Sequence, residues 1–284
     1  MQPALRHLYT AETYDGNLRF STPVAVFFDA KRKELYVADA GTSELIILSR
    51  DGKTLGHFPH HRKGLDQKAE PAGIAVDADG TIFVSDVTDG RVYMYDYRGA
   101  PDGNLPMPAG KNGPLLPGKM ALDAAGNLYI AMRNSGSIVV YGRQSHELRQ
   151  IAPRLKGFDD CCDVAIDAEG NICALSLKGT PVRILDQQGK LNRQFGRHEI
   201  GNDGFAHPSG LDTDRKGRLW IVDSVAQVVK LFNPDGSFVQ MFGELGFGPG
   251  AFFYPVDLCI DRETDTLFVL EKNGRRLQAF AIEE

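Results

Sequence analysis

The sequence predicts an all-β protein, a six-bladed β-propeller of four-stranded antiparallel blades. Three observations carry this. Apolar runs of strand length alternate with Asp, Gly and Pro at even intervals, which argues for strands joined by tight turns. A module of about 45 residues, the period of a propeller blade, recurs along the chain. Residues are also left over at the N-terminus while the last module falls one strand short.

The module is clearest over residues 207–243. It opens His207-Pro208-Ser209-Gly210-Leu211-Asp212-Thr213-Asp214, continues through Leu219-Trp220-Ile221-Val222-Asp223 and Val228-Val229-Lys230-Leu231-Phe232, and ends Phe238-Val239-Gln240-Met241-Phe242-Gly243. The Asp closing each first strand serves as a ruler: Asp29, Asp77, Asp123, Asp167, Asp214 and Asp261. Six residues before each lie Pro23, Pro71, Pro117, Cys161, Pro208 and Pro255. Steps of 48, 46, 44, 47 and 47 residues separate the Asp positions, so six modules are expected. Residues 1–284 are read as one propeller with blades starting near 23, 71, 117, 161, 208 and 255. The sixth module reaches its third strand near residues 276–282 and the chain then ends. Residues 1–20, with a strand over 5–13, are expected to supply the outer strand of blade 6 and close the ring, which protects the sheet edges.

The segments Pro71-Ala72-Gly73-Ile74-Ala75-Val76-Asp77, Leu35-Tyr36-Val37-Ala38-Asp39 and Arg91-Val92-Tyr93-Met94-Tyr95-Asp96 resemble NHL repeats, in phase over essentially the whole chain. The resemblance implies a six-bladed propeller. It leaves function open, because NHL propellers include protein- and RNA-binding modules, lyases and many bacterial proteins without an assigned activity. The propeller lyase of peptide amidation holds zinc with histidines directly after the repeat Pro. The matching positions here are Val24, Ala72, Gly118, Cys162, Ser209 and Val256, so that cage is not carried over.

With 32 Lys and Arg against 37 Asp and Glu, the net charge is −5, which argues against nucleic acid as a partner. A local basic patch from Arg62-Lys63, Arg133 and Arg275-Arg276 is the exception to look for. No apolar run spans a membrane, and the N-terminus has no apolar signal core. The compartment stays open: cytoplasmic if Met1 is native, periplasmic or extracellular if a leader was removed. Four cysteines are too few for a disulfide scaffold, and Cys173 and Cys259 read as small buried hydrophobes.

Chemistry is expected where loops gather at the channel mouth. The long connections are read as 59–70, 99–116, 142–160, 196–207 and 243–254, with the Gly- and Pro-rich 99–118 as the longest unconstrained loop. Within it, Leu105-Pro106-Met107-Pro108 is expected to be exposed to a partner chain. Asp39, Asp86 and Asp223, at the ends of second strands, are expected to accept backbone amides. Asp86 with Arg91, and Glu271 with Arg276, are expected to pair across their turns. Met132 and Ser176 break this pattern. His60-His61 beside Arg62-Lys63 reads as a mixed polar surface.

The least repeat-like stretch, Asp159-Asp160-Cys161-Cys162-Asp163, replaces the Pro of the other blades. It is compatible with a metal site, a redox-active thiol pair, a vicinal disulfide or plain packing. Two positions after the Pro-equivalent the module prefers Ala25, Gly73 and Gly210, yet Lys119, Asp163 and Asp257 stand there in blades 3, 4 and 6 and are expected to face the channel together. His207 and Tyr254, each directly before a repeat Pro, are expected at the mouth. Phe247, Phe252, Phe253 and Tyr254 fit an inter-blade staple, as Phe205 does.

The expected function is non-enzymatic binding of a protein, a peptide or a small polar ligand at Lys119, Asp160, Cys161, Cys162, Asp163, His207, Tyr254 and Asp257, with no cofactor. The alternative is a metal-assisted lyase or hydrolase, amidating-lyase-like or lactonase-like, with a divalent ion held at the mouth by Asp163, Asp257 and the Cys161-Cys162 pair.

Overall fold

A computed structural model describes residues 3–16, 18–60, 69–110, 113–151 and 160–284. Six four-stranded antiparallel sheets stand in a ring. Their innermost strands are Pro23–Asp29, Pro71–Val76, Pro117–Leu122, Asp163–Ile166, Pro208–Thr213 and Pro255–Asp261. Each touches the next, and the sixth touches the first. Closure follows the expected route. Ala4–Ala11 pairs antiparallel with Arg276–Glu283, setting Ala4 opposite Glu283 and Ala11 opposite Leu277, and so completes blade 6.

The core lies between blades. Second strands such as Ile82–Asp86 and Leu219–Asp223 are buried from end to end, because both faces are covered by neighbouring sheets. Aromatic contacts cross the seams: Phe28 of blade 1 stacks on Phe268 of blade 6 at 5.6 Å. Burying each such side chain stabilises the fold by about 1.5–3 kcal/mol.

The six ruler aspartates make the lower turns. Asp77 Oδ1 accepts the amides of Asp79 and Thr81 at 2.9 Å, and Asp123, Asp167 and Asp214 do the same two and four residues on. The carboxylates ending second strands accept amides two or three residues on, as expected (Gly41 and Thr42 to Asp39, Thr88 to Asp86, Ala226 to Asp223), and they also fasten the incoming segment. Asp39 accepts the amides of Ser21 and Thr22, Asp223 those of Ala206 and His207, and Glu271 that of Phe253. Glu271 also pairs with Arg276 at 2.6 Å, as expected. The blades that lack this acid substitute for it. In blade 4 the carboxylate has moved to the incoming strand: Asp160 Oδ1 accepts Ser176 Oγ–H and the amide of Leu177. In blade 3, Asn134 Oδ1 accepts the amide of Leu116.

Several expectations are corrected. The segment 99–118 is not a free loop. Pro101–Pro106 is the outer strand of blade 2, and a small hairpin pairs Ala109–Gly110 with Gly113–Pro114. Outer strands face water and need few apolar residues, so a strand reading Pro-Asp-Gly-Asn-Leu-Pro is disguised as a loop. Met107 is buried rather than offered to a partner. Residues 142–160 contain the outer strand Leu148–Ile151 of blade 3. His60 is not on the surface: its ring is enclosed, with Nδ1 2.7 Å from Tyr95 Oη and Nε2 3.2 Å from Asp86. Arg91 turns to Asp89 and Asn104 instead of Asp86. Arg276 is buried on Glu271 and does not join a basic patch; Arg62 and Lys63, like Asp159, lie outside the described residues. Phe205 and Phe252 are the buried staples, packed beneath Gly196 and Gly243, whereas Phe247 is exposed.

Candidate functional site at the channel mouth

First strands run down from the upper face and second strands return to it, so three positions of the module form rings around the upper channel. The residue after each Pro-equivalent gives Val24, Ala72, Gly118, Cys162, Ser209 and Val256. The residue after the module position held by Asp39, Asp86, Met132, Ser176, Asp223 and Glu271 gives Ala40, Val87, Arg133, Leu177, Ser224 and Lys272. The residue before the Pro adds Glu70, His207 and Tyr254. Together they line a funnel of about 400 Å³. A second cavity of about 380 Å³ opens from below, among Asp29, Asp77, Asp212, Arg262 and the lower halves of the first strands.

Lys119 lines both cavities and separates them. From blade 3 its side chain crosses the channel, and Nζ donates to the carbonyls of Ser209 and Val256 at 2.6 and 2.8 Å and to Asp257 Oδ1 at 2.6 Å. Asp163 Oδ2 stands 3.7 Å away. The charged trio therefore assembles as expected, and it is saturated from within. Asp163 also accepts the amides of Val164 and Leu211, and Asp257 that of Val26, so each carboxylate ties its blade to the next. Gly210 is small for this reason: a Cβ there would lie 2.8 Å from Asp257 Cα and 3.2 Å from Lys119 Nζ.

The electrostatics follow from burying two carboxylates around one ammonium. Burial raises the Asp163 pKa to about 7 against the opposing pull of Lys119, with the Asp257 charge adding to the rise. Burial likewise raises Asp257. For Lys119 burial acts downward, but the two carboxylates outweigh it and the ammonium is held.

The remaining candidates separate. Cys162 lines the funnel, while Cys161 is fully buried and Asp160 serves the blade 4 turn. All four cysteines are free thiols. Burial raises the pKa of Cys161 and of Cys162, and the amide of Cys161, a donor that Pro would lack, bonds Met132 O at 3.0 Å. Among the described residues no three His, Cys, Asp or Glu side chains gather as a metal ion would require. His207 and Tyr254 do meet at the mouth. His207 Nδ1 is buried without a hydrogen-bond partner among the described residues. Tyr254 is held at φ 57°, an uncommon state for a bulky residue, by its amide bond to Gln227 Oε1 at 2.6 Å.

Two residues of the mouth escape a reading keyed to the Pro positions. Arg133 and Lys272 follow the second strands of blades 3 and 6, which stand opposite one another in a ring of six. Among the described residues neither cation has an ion pair or a side-chain hydrogen bond. Gly118 makes room for Arg133, since a Cβ there would lie 2.8 Å from Arg133 Cγ. The signal was present in sequence: aligning the residue after the Asp39-equivalent position of each module shows Ala, Val, Arg, Leu, Ser and Lys in turn.

Among known proteins, a family model described as a 6-bladed beta-propeller (DUF5128) matches residues 211–284. The chain is 27% identical over 183 residues to the protein brain tumor of Drosophila melanogaster, covering 62% of this chain and only 13% of that relative's length. Solved structures with this fold include a gluconolactonase of Xanthomonas campestris (TM-score 0.71, 14% identity, 100% of this chain and 95% of that one). They also include the virginiamycin B lyase of Staphylococcus aureus (0.66, 11%, 99% of each). A protein of unknown function from Bacteroides thetaiotaomicron has a TM-score of 0.71 at 17% identity, over 99% of this chain and 72% of that one. At such identities these structures speak for the fold alone. The in-phase module, the six closed blades and the two sequence matches together support an NHL-type six-bladed β-propeller.

Proposed function

We propose that this protein is a binding propeller that presents its upper mouth to a small polar ligand or to the end of a peptide, without catalysing a reaction. One observation carries the reading: the mouth is a preformed funnel floored by Lys119, into which the buried His207 Nδ1 and the more exposed cations Arg133 and Lys272 bring polar groups with no side-chain hydrogen bond among the described residues. The mechanism is presentation. A closed ring holds the loops in place, so little ordering entropy is lost when a ligand arrives. The Drosophila relative, in which the matching region is a small part of a much longer chain, is in keeping with a recognition module. The lyase and the gluconolactonase lend no activity across 11 and 14% identity, and the thiols that a metal-assisted reading would recruit are held protonated by burial.

The test is capture. The purified chain is incubated with a peptide and metabolite extract, washed, and its bound species identified by mass spectrometry beside Ala72→Trp, which fills the funnel from a half-buried lining position. Species retained by the wild type and lost from the variant support the reading. Nothing retained, equal retention by the filled variant, or release of a chemically altered species overturns it.

A further inference from the structure

The mouth carries charge opposite to that of the chain as a whole. The net charge is −5, yet among the described residues the funnel walls hold Arg133 and Lys272, with Glu70 as the one carboxylate beside them. The floor ammonium of Lys119 is answered from beneath, because Asp163 and Asp257 line the lower cavity and not the funnel. The upper cations are therefore not balanced by the buried acids. They stand on blades 3 and 6, on opposing walls, so one compact anion cannot meet both as closely as a molecule with two acidic ends can. Between them much of the wall is apolar: Val24, Val87, Leu177 and Val256 line it and are half-buried, while the hydroxyls of Ser209 and Ser224 in blade 5 bond each other. Arg offers a planar fork that matches a carboxylate, and Lys a point charge at the other end. A cavity of about 400 Å³ is at the small-molecule end of ligand sites.

We infer that the funnel binds an organic diacid, two carboxylates joined by a short apolar stem, with one end on Arg133, the other on Lys272 and the stem against the valine and leucine wall. This rests on the reading of the mouth as a binding site and narrows it to one chemical class. His207 Nδ1 adds a polar atom for an oxygen near one end. Glu70 opposes the ligand and sets its orientation away from blade 2.

Calorimetric titration of the full chain with the α,ω-dicarboxylates from malonate to suberate, and with the monocarboxylate of each length, decides the matter. One window of chain length is expected to bind at least tenfold tighter than its monocarboxylate. Arg133→Gln and Lys272→Gln are each expected to erase that advantage while leaving the fold intact, and Glu70→Gln to strengthen binding. The inference falls if no length prefers the diacid, or if the two glutamine variants keep the preference. It also falls if the diacid binds Ala72→Trp as well as the wild type, since the ligand would then lie outside the funnel. If extract species are excluded by Ala72→Trp while diacids show no advantage, the mouth is a binding site for another chemistry and the diacid assignment alone is lost.

Discussion

The two ends of the channel are built from the same module and treat charge in opposite ways. Below Lys119, charge is tied up. Asp29 accepts the amide of Lys31 and pairs with Arg32 at 2.6 Å. Asp212 accepts the amide of Ile260 and pairs with Arg262 at 2.8 Å, and Asp163 and Asp257 hold Lys119. Above it, Arg133, Lys272 and His207 Nδ1 have no such partners among the described residues. A polar group that is buried and bonded serves the fold, while one left idle near a cavity is available for something else. The lower end therefore reads as structure, and the upper end is where the proposed binding would take place.

The sharpest way to break the contrast is to remove the plug. Lys119→Met leaves two buried carboxylates facing each other without their cation and is expected to cost about 3–5 kcal/mol. The loss should be larger at pH 8 than at pH 5, because at the lower pH the orphaned acids take up protons. Denaturant midpoints at the two pH values measure this, and adding Asp257→Asn should recover part of the loss. If Lys119→Met unfolds like the wild type at both, the trio is not what holds the waist.

Next in size is the pH dependence of the native trio. Asp163 has a folded pKa of about 7 against about 3.9 in an unfolded chain. The folded state therefore binds this proton more tightly, and the stabilisation it brings is complete below about pH 4 and lost as pH rises towards 7. Stability should fall across that window with a limiting slope of about 1.4 kcal/mol per pH unit. Asp163→Asn should flatten the curve of unfolding free energy against pH over the same range. A parallel curve for the variant would place the titration elsewhere.

Gly210 tests the packing of the same layer. The methyl of Gly210→Ala would meet Asp257 Cα at 2.8 Å, backbone that cannot swing aside. Overpacking of this kind costs about 1–3 kcal/mol. Gly118→Ala in the funnel would meet the exposed stem of Arg133 at 2.8 Å, which has room to move, and backbone only at 3.3 Å (Ala131 O), so its thermal midpoint should shift less.

How much of this was readable in advance differs between the two ends for a physical reason. The lower trio could be seen because Lys119, Asp163 and Asp257 share one repeat position, and a ring converts shared phase into shared height. Closure could be seen because blade 6 lacked a strand that residues 4–11 could supply. The outer strands of blades 2 and 3 could not, since Pro101–Pro106 and Leu148–Ile151 face water and carry no apolar alternation. Nor could His60 be placed. Its neighbours in sequence are polar, but the chain turns it inward onto Tyr95 and Asp86. Lys272 was missed, and Arg133 was noticed only as part of a basic patch and not at the mouth, for a third reason. They follow positions where blade 3 has Met132 and blade 6 has Glu271, so the end of the second strand is not marked by the same residue in each blade.

The smallest expected effect carries the comparison to its end. If the upper cations are idle in the fold, replacing them should cost the fold nothing. Arg133→Gln and Lys272→Gln keep most of the side-chain length, break no ion pair among the described residues, and remove charges that sit above the trio without touching it. Each should leave the unfolding free energy within about 0.5 kcal/mol of the wild type, the range of ordinary surface substitutions. The contrast with Lys119→Met, on the same blade as Arg133, is then several kcal/mol between two cations that line one funnel. Equilibrium denaturation of the three variants side by side reads it directly. A loss of 2 kcal/mol or more in either glutamine variant, at the magnitude typical of a buried structural contact, would mean that the mouth is held by its cations, and the division of the channel into a structural end and a recognition end would go with it.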